Sequence, residues 1–470
     1  MKKIMIILLF IILLTGCDTK KEKLILATEA SFAPYEYYEN GEIVGIDIDI
    51  AKEIANRLDM ELEIKDVYFD SIISEIKTEK SDIGAAGISY TEERNKEVDF
   101  TINYMDSRQV LIVKKNSDVT INNFYNKKIA VQLGTIIDDY LTENYKSMEI
   151  IREKKFLAAI EDLIDNKVDG VIMDEIPARE LINDDLVILD EAILEDHYGM
   201  IIKKGNDNLL KVANEVILEL KNNGRIDEFL LRHMGIHLKE EDYTIVDKIY
   251  NSIIKDDRYK FILEGLKNTL TIALGAVLIG IFLGTFLAII RNIHDTTDKF
   301  KILNFIAKGY ITIIRGTPSI LQLMIIYYVV FKTTNINIVL VGIMSFGINS
   351  AAYVAEIVRA GINSVDKGQK EAAFALGLGY KQVMINIVIP SALKNILPAL
   401  GNEFITLVKE TSVGAYIGII ELTKASDIIA SRTYDYFFPL IIIALIYLCI
   451  TIFLTKLISI MERKLNHVRD

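Results

Sequence analysis

From Leu270 to Ile290 the sequence runs 21 residues without a charged side chain. At 1.5 Å per residue an α-helix of that length spans the ~30 Å hydrocarbon core of a bilayer, and a helix satisfies its own backbone hydrogen bonds there. Further apolar blocks cover 303–331, 337–358, 387–408 and 437–460, with Gly and Pro interrupting the second and fourth blocks of the five. Five spans are therefore expected. Charge divides the 470 residues the same way: residues 261–470 carry 19 Lys and Arg against 13 Asp and Glu, whereas residues 1–260 carry 34 against 52. An acidic polar half precedes a basic apolar one, and the length fits two or three domains. The acidic half argues against nucleic acid, whose phosphates demand a basic footprint. Cys17 and Cys449 sit in apolar surroundings and staple nothing, and five His without a Cys/His cluster give no metal site.

At the N-terminus Lys2 and Lys3 precede 11 apolar residues, Ile4–Leu14, and then Thr15-Gly16-Cys17. A positive start, a short apolar run and small residues describe an export signal, too short to span comfortably. The ending Leu-Thr-Gly-Cys resembles the lipobox of bacterial lipoproteins, which implies a leader over 1–17 and a lipidated Cys17. An uncleaved signal anchor is the other reading. Both put the following residues outside the cytoplasm, with Asp18–Lys23 as a short tether.

Residues 18–240 read as an α/β domain, short buried strands alternating with amphipathic helices. Ile46, Ile50, Ile54 and Leu58 form one helical stripe, and Ile72, Ile73 and Ile76 face inward on the next helix. Leu111–Asp118 and Met200–Asp207 echo each other as strands running into turns, framing a middle block of roughly 110–195. A chain that leaves one lobe, builds a second and returns is expected. The segment 241–257 is polar and reads as a linker to a membrane domain, 258–470.

Five motifs in order now make a resemblance specific: Ala27–Tyr37, Gly45–Ala51, Ala86–Arg94, Val131–Thr135 and Asp169–Asp174. Together they resemble the polar amino-acid-binding proteins of the periplasmic type. The resemblance implies a carboxylate site at Arg94, a fork suited to bidentate pairing, with backbone N–H groups near Ser89 and Thr135. It implies ammonium acceptors at Asp174, Ser89 and the Gly87 carbonyl, and an aromatic sandwich from Phe32 and Phe69. Taken alone, Arg94 after two glutamates also reads as a surface ion pair, and Asp174 as a helix cap. Glu29 stands where glutamine- and basic-residue-binding relatives usually carry Asp, and Gln132 where glutamine binders often carry Lys. A carboxylate at 29 favours a hydrogen-bond-donating side chain, glutamine-like first and basic next, and repels glutamate.

In the membrane half, Glu371-Ala372-Ala373-Phe374-Ala375-Leu376-Gly377 followed by Ile387-Val388-Ile389-Pro390 resembles the EAA loop of ABC-importer permeases. The resemblance implies an all-α type I permease whose cytoplasmic helix pair, including Glu371, Ala372, Ala373 and Gly377, sits in a groove on an ATPase. Lys367 and Lys370 would add polar rim contacts. Arg315-Gly316-Thr317-Pro318 and Lys409-Glu410-Thr411-Ser412 also resemble polar amino-acid permeases. Charges at membrane depth line cavities, which makes Arg315 and Glu410 pathway residues, with interfacial anchoring as the alternative. Arg291, Lys299, Lys301, the stretch Arg359–Lys394 and the basic tail place these loops and the C-terminus in the cytoplasm.

No Gly-x4-Gly-Lys-Ser/Thr occurs, so ATP must be hydrolysed by a separate subunit and no cofactor is expected on this chain. One EAA loop per chain implies two permease modules, simplest as a homodimer with two ATPases. An amino-acid-gated channel would need a filter such as Thr-Val-Gly-Tyr-Gly, and a chemoreceptor a cytoplasmic signalling domain; neither is seen. The sequence therefore reads as the receptor and permease of an ATP-driven importer in the cell membrane, its partners being a polar L-amino acid, the ATPase and membrane lipid.

Overall fold

The computed structural model describes residues 21–234, 244–332, 336–433 and 435–466. Cys17, the leader and part of the linker lie outside these residues. The soluble half is α/β and two-lobed. In lobe one the strands run Glu61–Asp66, Lys23–Thr28, Ile83–Gly84, Ile201–Lys203 and Val98–Phe100 across the sheet. The first three pair in parallel, and Ile201–Lys203 enters antiparallel between its two neighbours. In lobe two the order is Glu149–Glu153, Lys128–Gln132, Gly170–Asp174, Met105–Lys114 and Leu186–Tyr198.

The chain passes between lobes twice, through Met105–Lys114 and back through Leu186–Tyr198. These strands lie antiparallel with Tyr198 opposite Met105. The two echoed segments thus divide: Leu111 to Lys114 belong to the sheet of lobe two, and Ile201 to Lys203 to that of lobe one. Ile46, Ile50 and Ile54 are fully buried on the helix Ile46–Arg57, while Leu58 is its half-buried cap. Their burial follows the 3.6-residue stripe.

The membrane half holds four helices long and apolar enough to cross a bilayer, within 255–297, 338–363, 380–417 and 437–464. A fifth crossing exists if the pair Lys301–Arg315 and Ser319–Val330, bent by 109°, counts as one span. The bend falls at Gly316-Thr317-Pro318, where Pro cannot continue the ladder. The helices Tyr259–Thr297 and Ile338–Asn363 approach closely because small residues line their contact. A Cβ on Gly284 would stand 2.7 Å from the Ala351 carbonyl oxygen. Gly284→Val is accordingly expected to destabilise the membrane half by about 1–3 kcal/mol through overpacking. Thermal unfolding of the full chain in detergent checks this, and an unchanged transition would contradict the packing.

Part of the segment expected as a linker is helical: Ile245–Ile253 starts with a capping box in which Thr244 and Asp247 satisfy each other's backbone amides. Its residues Ile245, Val246 and Tyr250 are exposed.

Candidate functional site

The cleft between the lobes encloses a pocket lined by Glu29, Phe32, Phe69, Gly87, Ser89, Gln132, Thr135 and Asp174. These are all but one of the residues expected there; the exception, Arg94, does not line the pocket but lies behind the lining residues Ser89 and Phe69. Thr91 caps the helix Glu92–Glu97 by accepting from the Arg94 amide at 3.1 Å, which fixes the base of that side chain. The buried guanidinium donates to the Ser89 carbonyl at 2.9 Å and, across the cleft, to the Gly134 carbonyl at 2.8 Å. It lies 5.9 Å from the Phe69 ring centre. Its carboxylate neighbour is Asp139 at 4.0 Å, in lobe two, and not the adjacent glutamates. Gly87 has φ +53, and a Cβ there would meet the Phe32 ring at 2.8 Å, so backbone and aromatic pack without a side chain between them.

Carboxyl groups gather at the same pocket, Asp174 and Glu36 lining it and Asp196 and Asp47 behind them. Asp174 occupies the cap position of the helix Glu175–Leu181, yet its side chain makes no capping bond and instead accepts from Ser107 Oγ at 2.8 Å. Asp196 accepts from Ser89 Oγ at 2.7 Å and from Gln109 Nε2 at 3.1 Å. Burial first, and then the charge of Asp196, lift the Asp174 carboxyl from its ordinary range to about 8. Burial likewise raises Asp47 to about 6 against hydrogen bonds from Tyr104 and the Gly87 amide, and pushes Glu36 well up beside it. A dry wall of carboxyl groups suits a cation that displaces their protons.

A pH dependence follows. A folded-state carboxyl raised above its unfolded value of 3.8 binds the extra proton between about pH 4 and 8. Ligand-free stability therefore falls as pH rises through that window. Were a ligand's ammonium group to bind at Asp174 in place of the proton, about one proton would be released per ligand near pH 6.5. Titration calorimetry in two buffers of different ionisation enthalpy measures it; identical heats would contradict the assignment.

Glu29 is not the lone carboxylate that the sequence suggests. Lys155 Nζ lies 3.4 Å from its Oε1, Ser31 donates to the same oxygen, and Gln132 Nε2 approaches Oε2 at 3.4 Å. Glu29 and Lys155 are both buried, so the pocket's side-chain end is already charge-compensated.

Sequence reasoning missed Glu36, Gln109, Phe156 and Asp196. Phe156 stacks 5.6 Å from Phe32. Asp196 was legible from period-two alternation, since it shares a strand face with the fully buried Tyr198.

In the permease, Glu371–Ala375 lie on the short helix Lys367–Ala375, but the expected second short helix is not separate: Tyr380–Val383 is the first turn of the long helix within 380–417, which also carries Ile387–Pro390. Ala373 is buried against the helical core, while Glu371, Ala372, Phe374, Leu376 and Gly377 are exposed. Lys370, expected on the rim, donates to the Ile362 carbonyl at 3.3 Å. Arg315 is exposed, with its guanidinium 5.4 Å from the Tyr353 ring centre, and Glu410 is half-buried at a helix end. Among the described residues no ion pair joins them. Polar groups that do meet inside the bundle include Asn349 with Gln322 at 3.0 Å, Ser350 with Glu403 at 2.7 Å and Tyr447 with Glu421 at 3.1 Å.

Both lobes rest on the permease. Lobe one places Asp66 Oδ2 at 2.9 Å from Lys424 Nζ, a charge contact rather than an aligned hydrogen bond, and Tyr68 OH donates to Asp427 at 3.1 Å. Lobe two receives the Tyr436 amide on Glu161 at 2.8 Å and sets Lys154 5.5 Å from the Tyr416 ring centre.

Comparison with known proteins divides the chain at the same place. Residues 24–236 match the bacterial extracellular solute-binding proteins, family 3, and residues 276–467 match the binding-protein-dependent transport system inner membrane component. The chain is 40% identical to a Rickettsia prowazekii protein provisionally named glutamine transport system permease protein GlnP, over 44% of this chain and 93% of that protein. It is 42% identical to the arginine transport system permease protein ArtQ of Bacillus subtilis, over 44% of this chain and 93% of that one. The arginine-bound form of truncated ArgBP from T. maritima is 39% identical, covering 42% of this chain and 96% of that structure with a TM-score of 0.41.

Proposed function

Because the chain belongs to two families in tandem, the family 3 extracellular solute-binding proteins and the inner membrane components of binding-protein-dependent transport systems, we propose that it captures a polar L-amino acid outside the cell and passes it inward. It is the binding-protein and permease fusion of an amino-acid ABC importer, a multi-pass membrane protein that works with an ATPase partner. Glutamine-like substrates come first and basic amino acids next, and relatives named for glutamine and for arginine support that pair of classes.

The observation that carries the reading is the pocket's polarity within such a fusion. Arg94 on the Ser89 carbonyl and the carboxyl groups of Asp174 and Asp196, the latter on the Ser89 hydroxyl, supply both signs of charge at one pocket, a complement to the carboxylate and ammonium of one amino acid. The Ser89 hydroxyl, which donates to Asp196, keeps lone pairs for an ammonium, and the Gly87 carbonyl is a further acceptor. Phe32 and Phe69 sandwich the ligand, Thr135 joins the carboxylate site, and Glu29 with Gln132 reads the side chain. Lys155 compensates Glu29, which favours a neutral amide over a cation.

In the proposed assembly two chains form a homodimer, each EAA helix pair holding one cytoplasmic ATPase. The binding half is extracellular, the C-terminus cytoplasmic, and Cys17 lipidated after cleavage of the leader. ATP binding draws the ATPases together and turns the pore outward, and hydrolysis resets it. Fusion holds the receptor near its permease at an effective concentration on the order of millimolar.

Binding of radiolabelled L-glutamine to the full chain in lipid nanodiscs, with the other L-amino acids as competitors, tests this. Displacement by glutamine, then arginine and lysine, is expected. Failure of every polar amino acid to bind would overturn the substrate class.

A further inference from the structure

Lys155 has no part in the carboxylate or ammonium sites, yet it lies where three parts of the molecule converge. It caps the helix Phe156–Ile164 of lobe two, and its side chain crosses the cleft to Glu29 of lobe one. Behind that pair is the permease helix Leu422–Thr433, which carries Lys424 and Asp427. Lys424 is fully buried against Asp66, and Asp427 accepts from Tyr68. Burial pulls Lys155 downward, but the charges of Glu29, Asp427 and Asp66 outweigh it and hold the ammonium above its ordinary range. Burial also opposes the Asp66 charge, and Lys424 and Lys155 together keep its carboxyl below the usual range. The cluster contains three carboxylates and two ammonium groups.

We propose that Lys155 reports closure of the lobes to the permease, by completing a buried charge cluster with Glu29, Asp66 and Asp427 that only a closed receptor brings together on Leu422–Thr433. The inference rests on the importer reading. When lobe two swings away it takes Lys155 with it. Glu29, Asp66 and Asp427 then share Lys424 alone, and uncompensated carboxylates at a dry contact oppose docking. The permease thus accepts a closed receptor and rejects an open one on electrostatic grounds, and Lys155 acts as a positioning residue rather than a ligand contact.

Coupling of this kind is reciprocal, so a change on the permease must alter affinity in the pocket. The probes are L-glutamine and L-arginine, titrated into the full chain in nanodiscs. Asp427→Asn, which lies outside the pocket, is expected to weaken whichever amino acid binds by about fivefold or more. Lys155→Met combined with Asp427→Asn should bind no more weakly than Lys155→Met alone, because both remove one interaction. Unchanged affinity in Asp427→Asn, or additive losses in the double variant, overturns the proposal. If the wild-type chain binds neither probe, the substrate reading fails, and closure is then imposed without ligand. Asp70 and Lys154 pair across the cleft, so Asp70→Cys with Lys154→Cys in a Cys449→Ser background, bridged by a short bifunctional thiol-reactive linker that spans the length of the lost side chains, locks the lobes. Hydrogen exchange over 422–433 should slow on locking and not in the locked Lys155→Met chain; equal exchange in both contradicts the proposal.

Discussion

Arg94→Ala is expected to lower amino-acid affinity by at least about 100-fold. Each hydrogen bond from a charged group contributes about 1.5–3 kcal/mol, and a guanidinium fork makes two to a carboxylate, where 1.4 kcal/mol is a factor of ten. The same fork also holds the Ser89 and Gly134 carbonyls, one on each lobe. The substitution therefore removes both a ligand contact and a clasp across the cleft. Arg94→Lys should recover only part of the affinity, because a point charge lacks the planar fork. Calorimetry on the full chain measures both. Wild-type affinity in Arg94→Ala would remove the carboxylate site from this end of the pocket.

The second large effect is expected at the other end of the molecule. Leu376 is 82% exposed in the turn between the short helix Lys367–Ala375 and the start of the long helix within 380–417, and Phe374 is 47% exposed beside it. Apolar side chains this exposed, outside the bilayer spans, fit a protein contact. If they seat in the ATPase groove, Leu376→Asp costs about 2 kcal/mol or more at a contact hot spot, roughly a 30-fold weaker association. Amino-acid binding by the variant should stay within twofold of wild type while uptake falls by about tenfold or more. Co-purification of the ATPase with the variant reads the first quantity and transport the second. Normal co-purification and uptake would move the coupling surface elsewhere.

Much of the architecture is legible in the sequence because it rests on periodicity and on runs. The stripe of Ile46, Ile50 and Ile54 needs only a 3.6-residue repeat, and the uncharged run 270–290 needs only the thickness of a bilayer. The pocket is legible where a short motif holds its residues together, as with Gly87, Ser89 and Arg94 on one connected segment. Lys155 was hidden for the opposite reason. It follows Lys154 and precedes the apolar start of a helix, a pattern that reads as solvated charge. Its partners Glu29, Asp66 and Asp427 come from three distant segments. Likewise the pairing of Lys424 with Asp66, 358 positions apart, joins two domains whose docking no local signal encodes. The helix Ile245–Ile253 escaped because charged runs flank it, Glu240-Glu241-Asp242 before and Lys255-Asp256-Asp257 after, so the whole segment resembles a tether although Thr244 and Asp247 spell a capping box.

The claim that unites these observations is that capture and ATP-driven passage reside in one chain. The complex of this chain with its ATPase, purified from native membranes and reconstituted in vesicles with the binding domain outward, should accumulate labelled L-glutamine or L-arginine above the external concentration only when ATP is enclosed. Entry that merely equilibrates, with or without ATP, would contradict the importer and describe a channel.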